Sequence, residues 1–223
     1  MEQEYEKPSA PQPEAAPVNI MDSGRTGNLS WTLDENGLLT ISGRGEIERN
    51  YPWKNHIKQV TAVKMEHGIT SIGARAFDGC RALTSVTIPD SVAFIEHEAF
   101  AHCTALTGVT MPDSVICVGQ YAFFECRKLA SVKLSKSVVS IAEGAFERCG
   151  SLKKVTIPSG VRSIGNSAFY ECGSLAGVKI PDSVIEIKSE AFQGCDSLNS
   201  VSVPEHTEIV ADAFSIRTEV KRR

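Results

Sequence analysis

Cysteine is the residue type in this sequence whose spacing most suggests chemistry. The chain has seven cysteines. Six of them recur every 23 residues, at Cys80, Cys103, Cys126, Cys149, Cys172 and Cys195. Thiolates can bind zinc, form disulfides or act as nucleophiles. No two cysteines form a C-x-x-C pair, so the sequence gives little support for a closed tetrahedral zinc site.

A column of cysteines at one repeat position predicts a buried packing ladder. Cysteine is small and is commonly found in protein interiors. Thiols of neighbouring rows come close to disulfide range, but parallel side chains seldom present the torsion that a disulfide needs. We therefore expect free thiols. Cys117 lies off the ladder, and we expect it to be partly exposed.

The other residues that could support catalysis are scattered. The histidines are His56, His67, His97, His102 and His206. A nucleophile pair of Cys117 with His97 can be drawn, but it requires a proximity that the sequence does not show. No nucleophile elbow, phosphate-binding loop, dinucleotide fingerprint or H-E-x-x-H motif occurs. We therefore predict a protein that is not an enzyme and that uses no cofactor and no metal.

The elements that must position these residues form a 23-residue repeat. One column is leucine, at Leu83, Leu106, Leu129, Leu152, Leu175 and Leu198. A valine follows each leucine by three residues, and an apolar residue follows each valine by two. Another column is an Ala-Phe pair, with phenylalanine at Phe77, Phe100, Phe123, Phe146, Phe169 and Phe192. Six rows without an insertion indicate a repeat architecture.

The chemistry of one row predicts its local structure. Val86 and Ile88 alternate with hydroxylic residues, which is typical of a short half-buried strand, and Pro89 ends the strand because proline cannot donate to a ladder. Ile95, Ala99, Phe100 and Cys103 then fall at spacings that share one face of a short helix. A single row cannot bury its apolar face, so stacked rows should form a continuous core with strands about 4.8 Å apart.

The pattern from Ile88 to Met111 resembles the BspA-like leucine-rich-repeat family, and the resemblance covers about residues 57–214. The predicted fold is therefore an α/β repeat solenoid. It is a right-handed leucine-rich-repeat array with short parallel strands on one face and short helices on the other. An N-terminal β-hairpin is expected to cap it, because residues 29–41 contain two strand patterns around Asn36-Gly37.

The chain divides into four predicted segments. Residues 1–22 are acidic and proline-rich and are predicted to be a disordered linker. Residues 23–64 are the hairpin cap and the approach to the first repeat, and residues 65–202 are the 23-residue repeats. Residues 203–223 form a degenerate capping repeat and tail, because the Ala-Phe pair arrives one residue early at Ala213-Phe214 and no cysteine follows.

Two sets of residues are candidate binding sites. On the predicted strand face, Lys133, Lys154 and Lys179 project from consecutive rows among small and hydroxylic residues. This face is either suited to an acidic or glycan-bearing partner or is an ordinary solvated sheet face. On the predicted helix side, the aromatic residues are Phe94, Tyr121, Phe124 and Tyr170. These residues could anchor a partner, or a second copy of the chain in a homodimer. The alternative is that they pack against adjacent rows.

Charge and hydropathy exclude some classes of function. The formal net charge is −4, which disfavours nucleic acid as a partner. No apolar run is long enough to span a bilayer, and the first residues do not form a signal peptide. The resemblance implies a secreted or cell-surface adhesion module that binds host or bacterial surface proteins or glycans. The alternatives are an architectural spacer that presents another domain and, for location, the cytoplasm.

Overall fold

The computed structural model describes residues 18–49 and 51–223, and the chain is a β-solenoid of stacked coils. Its strands in chain order are β1 (Ile20–Thr26), β2 (Leu29–Asp34), β3 (Leu38–Gly43), β4 (Gly45–Ile47), β5 (Ala62–Met65), β6 (Ile69–Ile72), β7 (Ser85–Thr87), β8 (Phe94–Ile95), β9 (Gly108–Thr110), β10 (Cys117–Val118), β11 (Ser131–Lys133), β12 (Ser140–Ile141), β13 (Lys154–Thr156), β14 (Ser163–Ile164), β15 (Gly177–Lys179), β16 (Glu186–Ile187), β17 (Ser200–Val203), β18 (Glu208–Ile209) and β19 (Glu219–Arg222). A 3₁₀ helix spans Pro52–His56.

Each coil contributes two short strands, so the solenoid has two ladders. The first ladder runs β3-β5-β7, then β9-β11-β13-β15, then β17-β19, and its strands are parallel. The second runs β4-β6-β8-β10 and β12-β14-β16-β18, also in parallel. The first ladder confirms the predicted stack of parallel strands. The second ladder was not predicted.

The prediction of short helices on the opposite face is wrong. In the described chain the sole helix is the 3₁₀ segment, and the Ala-Phe region of each coil is a pair of tight turns. Two positions per coil have left-handed backbone, such as Glu98 (φ 53°) and His102 (φ 57°). An α-helix of L-residues does not include such positions. The turn edge, defined as these paired turns of all coils, therefore replaces the helices.

Hydrogen bonding explains why turns replace helices. Within the turns, alternate N–H groups bond to their own coil and to the next coil. Ala99 N–H donates to Glu96 O at 3.2 Å, whereas Phe100 N–H donates to Ala122 O of the following coil at 2.8 Å. In an α-helix every one of these donors would bond four residues back within its own segment. The turns instead tie each coil to its neighbour.

The phenylalanine column forms the centre of the core, as predicted. Each of the six repeat phenylalanines is fully buried. Their rings stack face to face, with centroids 5.1–5.4 Å apart from Phe77 to Phe192. Trp53 continues the stack at one end, 5.8 Å from Phe77, and Phe214 continues it at the other, 5.1 Å from Phe192. The stack links the cap, the repeats and the last coil.

The cysteine ladder lies beside this stack. The six repeat thiols are free and buried, and five of them donate to the phenylalanine carbonyl of the preceding coil. Cys126 Sγ, for example, lies 3.2 Å from Phe100 O, and the same oxygen accepts from Cys103 N. A buried carbonyl has two lone pairs to satisfy. A small side chain with a donor therefore suits this position in every coil.

The N-terminal residues close the first end of the core. β2 and β3 pair as an antiparallel hairpin around Asn36 and Gly37, and Gly37 has φ 82°. β1 adds an antiparallel strand that was not predicted and begins at Ile20, within the predicted linker 1–22. Residues 1–17 of that linker lie outside the described residues. Trp53 Nε1–H donates to Ala76 O at 2.9 Å, which fixes the indole over the first repeat.

Candidate functional site

The three predicted lysines lie on the outward side of the first ladder, here called the strand face. Lys133, Lys154 and Lys179 are exposed, and they stand on the neighbouring strands β11, β13 and β15. The register pairs Ser131 with Lys154, and Thr156 with Lys179. Lys133 and Lys179 thus stand two strands apart in line, with Lys154 on the strand between them and offset along it.

The three predicted lysines of the strand face form no ion pair in the described part of the chain. Other lysines of the chain do have one, such as Lys136 with Asp113 at 3.3 Å and Lys188 with Glu186 at 3.6 Å. Lys133, Lys154 and Lys179 form no ion pair with any described residue, and the outward positions beside them are serine, threonine and glycine. The strand face therefore presents local positive charge on a chain of net charge −4.

Tyr121 lies on the turn edge, where its ring fills the space above a glycine of the next coil. A Cβ on Gly144 would lie 2.2 Å from Tyr121 Cε1, so the ring occupies the place of the missing side chain. The Tyr121 hydroxyl donates to Glu143 Oε1 at 2.7 Å, and this hydrogen bond to a carboxylate raises the pKa of Tyr121 to about 12. The aromatic residue thus has a role within the fold.

Phe124 lies next to Tyr121, with the two ring centroids 6.0 Å apart. The imidazole of His102 meets its ring edge-on at 5.2 Å, and the Arg148 guanidinium carbon lies 5.9 Å from the ring centroid. His102 Nδ1 is itself 2.9 Å from Asp78 Oδ1. Cation–π and edge-on contacts of this kind stabilise an aromatic ring in a half-buried site. Contacts between coils therefore account for much of the Phe124 surface.

The aromatic residues do not form one stripe, because the helix that would have aligned them is absent. Tyr121 and Phe124 are in contact on the turn edge, and Tyr170 lies there two coils further on. Phe94 lies elsewhere, on β8 of the second ladder, where its Cα partner on β10 is Cys117. The structure thus brings together one pair of the predicted aromatic set and separates the other two residues.

Sequence reasoning missed a column of exposed apolar residues beside the second ladder. Ile116, Val139 and Ile185, which directly precede β10, β12 and β16, are between 48% and 59% exposed, and Phe94 lies next to this column on β8. Ile116 N–H donates to Ala93 O of the preceding coil, which places Ile116 in a column with Ala93. The signal was the residue after the second buried valine of each row, which is apolar in four of five central rows. An exposed apolar column of this kind is uncommon on an isolated domain.

The pair Cys117 and His97 lacks the features of a nucleophile with its base. Burial raises the pKa of the Cys117 thiol, whereas an activated thiol has a lowered pKa. His97 Nε2 is 2.9 Å from Glu98 Oε1, and its ring meets Tyr121 edge-on. Among the described residues, no group of three or more His, Cys, Asp and Glu side chains is arranged to hold a metal ion.

The stacked 23-residue coils, with their buried leucine, phenylalanine and cysteine columns, match a known family. Residues 49–138 and 93–221 match the BspA type leucine rich repeat region, in six copies. The chain belongs to this family. Such repeats form a non-catalytic scaffold type, and repeat domains of this class generally mediate protein interactions. No helix in the described part of the chain has the length and apolar character needed to cross a membrane.

Several solved structures share the fold of this BspA-type domain. One is a leucine rich cell surface protein from Faecalibacterium prausnitzii, at 24% identity and TM-score 0.54, with 90% of this chain and 76% of that chain covered. Another is a leucine-rich repeat protein from Bacteroides ovatus, at 20% identity and TM-score 0.55, with 94% and 67% covered. A third is the pneumococcal vaccine antigen PcpA, at 16% identity and TM-score 0.56, with 91% and 65% covered. No curated protein matches the sequence.

Proposed function

We propose that this BspA-type domain is a binding module whose strand face holds a partner with repeated negative charge, such as an acidic protein or an acidic glycan of a host or bacterial surface. The observation that carries the proposal is the set of three exposed lysines on β11, β13 and β15, which form no ion pair with any described residue. The module binds its partner and does not transform it.

The geometry of the strand face suits an extended polyanion. Neighbouring strands of a sheet lie about 4.8 Å apart, so Lys133 and Lys179 have their backbones about 10 Å apart, with Lys154 between them. The residues that flank the lysines are Ser131, Thr156 and Gly177. The serine and the threonine add hydroxyl groups, and all three residues are too small to block access to the lysines. A charged chain can therefore lie across the strands and contact all three ammonium groups at once.

The strand face is favoured over the turn edge as the primary contact surface. Tyr121 packs over Gly144 and bonds to Glu143, while Phe124 is held between His102 and Arg148. These rings are half-buried and already have partners within the chain. The three lysines, by contrast, are exposed and form no ion pair within the described chain. We therefore assign the aromatic pair mainly to packing between coils.

A secreted or cell-surface location fits this role. The F. prausnitzii structure that shares the fold is described as a leucine rich cell surface protein, and PcpA is described as a vaccine antigen. Similarity at these identities shows the fold alone, so the location is a proposal that cell fractionation tests. A chain recovered in the cytoplasmic fraction of its own cells would contradict it. An architectural spacer is the alternative role, and it predicts no affinity for any polyanion.

Binding of two polyanionic probes tests the proposal. Heparin represents a sulfated glycan and poly-glutamate represents an acidic protein. We expect saturable binding of at least one probe, with an affinity that falls as salt rises. A variant with Lys133→Glu, Lys154→Glu and Lys179→Glu should lose at least about tenfold in affinity, because three attractive contacts become repulsive.

A matched control removes the effect of net charge. Lys54, Lys58 and Lys128 are exposed lysines outside the strand face. Their replacement by glutamate changes the net charge by the same amount and should leave binding within about twofold of the parent, since distant charges are screened. Equal losses in both variants, or no binding of either probe by the parent, would refute the strand-face site. The comparison of heparin with poly-glutamate then separates glycan from protein as the partner class.

A further inference from the structure

The last coils of the described chain present two strand edges. β19 pairs with β17 on one side, and no described strand pairs with its other side. β18 similarly pairs with β16 alone. Unpaired strand edges expose backbone donors and acceptors that another strand can use. β18 follows β17 in one coil and β19 begins the next, and both free edges lie at the same end of the solenoid.

Several apolar side chains are also exposed at this end of the solenoid. A cleft of about 390 Å³ opens there, and its lining includes Ile209, Val210, Phe214, Ile216 and Val220. Ile216 is fully exposed, and Val220, which continues the buried valine column, is 37% exposed. Phe214 stacks on Phe192 and has no further ring stacked beyond it in the described chain. The core is therefore less covered here than between coils.

The sequence of β19 is complementary to itself. Its residues are Glu219, Val220, Lys221 and Arg222. The outward side chains are Glu219 and Lys221, which are in register with Ser200 and Ser202 of the strand face. In an antiparallel pair of two β19 strands centred on Val220, each Glu219 stands opposite a Lys221 of the other copy. Opposite charges directly across an antiparallel pair are stabilising.

We propose that a second copy of this chain docks on the last coil, tail to tail about a two-fold axis, with β19 pairing antiparallel to β19 of the second copy. The pairing satisfies the free strand edge, covers Val220 and Ile216, and forms two identical pairs of Glu219 with Lys221. Such an interface is isologous and closes at two chains. The dimer carries two strand faces, so it binds a repeated ligand through two sites.

Charge reversal at two positions tests this arrangement by light scattering and sedimentation of the 223-residue chain. The parent should have the mass of a dimer. Glu219→Lys alone places lysine opposite lysine, and Lys221→Glu alone places glutamate opposite glutamate. Each variant should dissociate at least about tenfold more readily than the parent, because the two-fold axis applies each change twice. An equal mixture of the two variants should recover the dimer, since each lysine then faces a glutamate.

The exposure of these side chains keeps the test independent of folding. Glu219 and Lys221 are exposed and pair with each other at 3.0 Å, so circular dichroism of each variant should match the parent. Lys133→Glu is the matched control on the strand face, and it should leave the mass unchanged. A monomeric parent would overturn the proposal, as would a mixture that stays monomeric. Single variants that remain dimeric, or open-ended polymers of the parent, would overturn it equally. None of these outcomes depends on polyanion binding.

Discussion

Gly144 and Tyr121 offer a quantitative test of the turn edge. In a Gly144→Ala variant, the new Cβ would lie 2.2 Å from Tyr121 Cε1 and 2.3 Å from Cδ1, so the ring must leave its place. The equivalent positions of other coils hold Arg75, Glu98 and Ser167 at φ 50–62°, so the backbone accepts a side chain there. We therefore expect displacement of the tyrosine ring to be the larger part of the cost.

The magnitude follows from two contributions. A left-handed alanine costs about 1 kcal/mol relative to glycine. The displaced ring loses its contacts and its hydrogen bond to Glu143, together about 2 kcal/mol. Gly144→Ala should thus lower the free energy of unfolding by about 3 kcal/mol, and Tyr121→Ala alone by about 2 kcal/mol. The double variant should lose about 3 kcal/mol rather than 5, because alanine at position 121 leaves nothing to displace.

Urea denaturation followed by circular dichroism measures these differences in the parent, the two single variants and the double variant. The expected signature is a coupling energy of about 2 kcal/mol between positions 121 and 144. Gly79 is a suitable comparison, because it also has left-handed backbone (φ 73°) and a Cβ there would meet Ile57 Cδ1 at 3.8 Å and no ring. Gly79→Ala should therefore show no coupling to Tyr121→Ala. Additive losses at positions 121 and 144 would refute the argument that the ring substitutes for a side chain at position 144.

Other predictions concern the core. Phe146→Ala should lower the free energy of unfolding by about 3–5 kcal/mol, because it leaves a cavity with stacked rings on both sides, and a loss under about 1 kcal/mol in urea denaturation would contradict the stack. Thiol titration under denaturing, non-reducing conditions should count seven free thiols, and a result of three disulfides would contradict the ladder. In the native protein Cys117 should react first, because it is the exposed thiol. Burial raises the pKa of Cys80 and of Cys195 from 9.0 to about 12. Because unfolded thiols lose their protons first, stability should be complete below pH 9 and should fall as the pH rises towards 12, and a urea midpoint that rises between pH 8 and pH 11 would contradict this sign.

The buried columns were predictable from the sequence because each depends on residue type alone. Leucine, valine and phenylalanine recur every 23 residues, and only stacking of rows buries them all. The cysteine ladder followed from the same argument. The thiol-to-carbonyl hydrogen bonds did not, since they depend on the distance from Cys126 to Phe100, a pair 26 residues apart.

The turn edge was not predictable from apolar spacing. Ala99, Phe100 and Cys103 fit one face of a helix, and they fit two consecutive turns equally well. The distinction rests on left-handed backbone at Glu98 and His102, which the residue types in that row do not reveal. Glycine at the second of these positions, in Gly79 and Gly194, was the available signal. The prediction that Phe94 lies on the helix side, when it lies on the second ladder, followed from the same error.

The hydrogen bonds between coils affect how the number of rows in such a chain can change. Most backbone hydrogen bonds between coils join residues 22 or 23 positions apart, which is within one residue of the repeat length, as with Phe100 N–H and Ala122 O. Removal or duplication of one whole row inside the array therefore leaves adjacent coils with the same set of hydrogen bonds. The last step is different, because β17 and β19 pair at a separation of 19 residues, Ser200 with Glu219. We therefore expect that whole rows can be gained or lost within the array without loss of hydrogen bonds between coils, whereas the 19-residue step from β17 to β19 does not fit the 23-residue repeat.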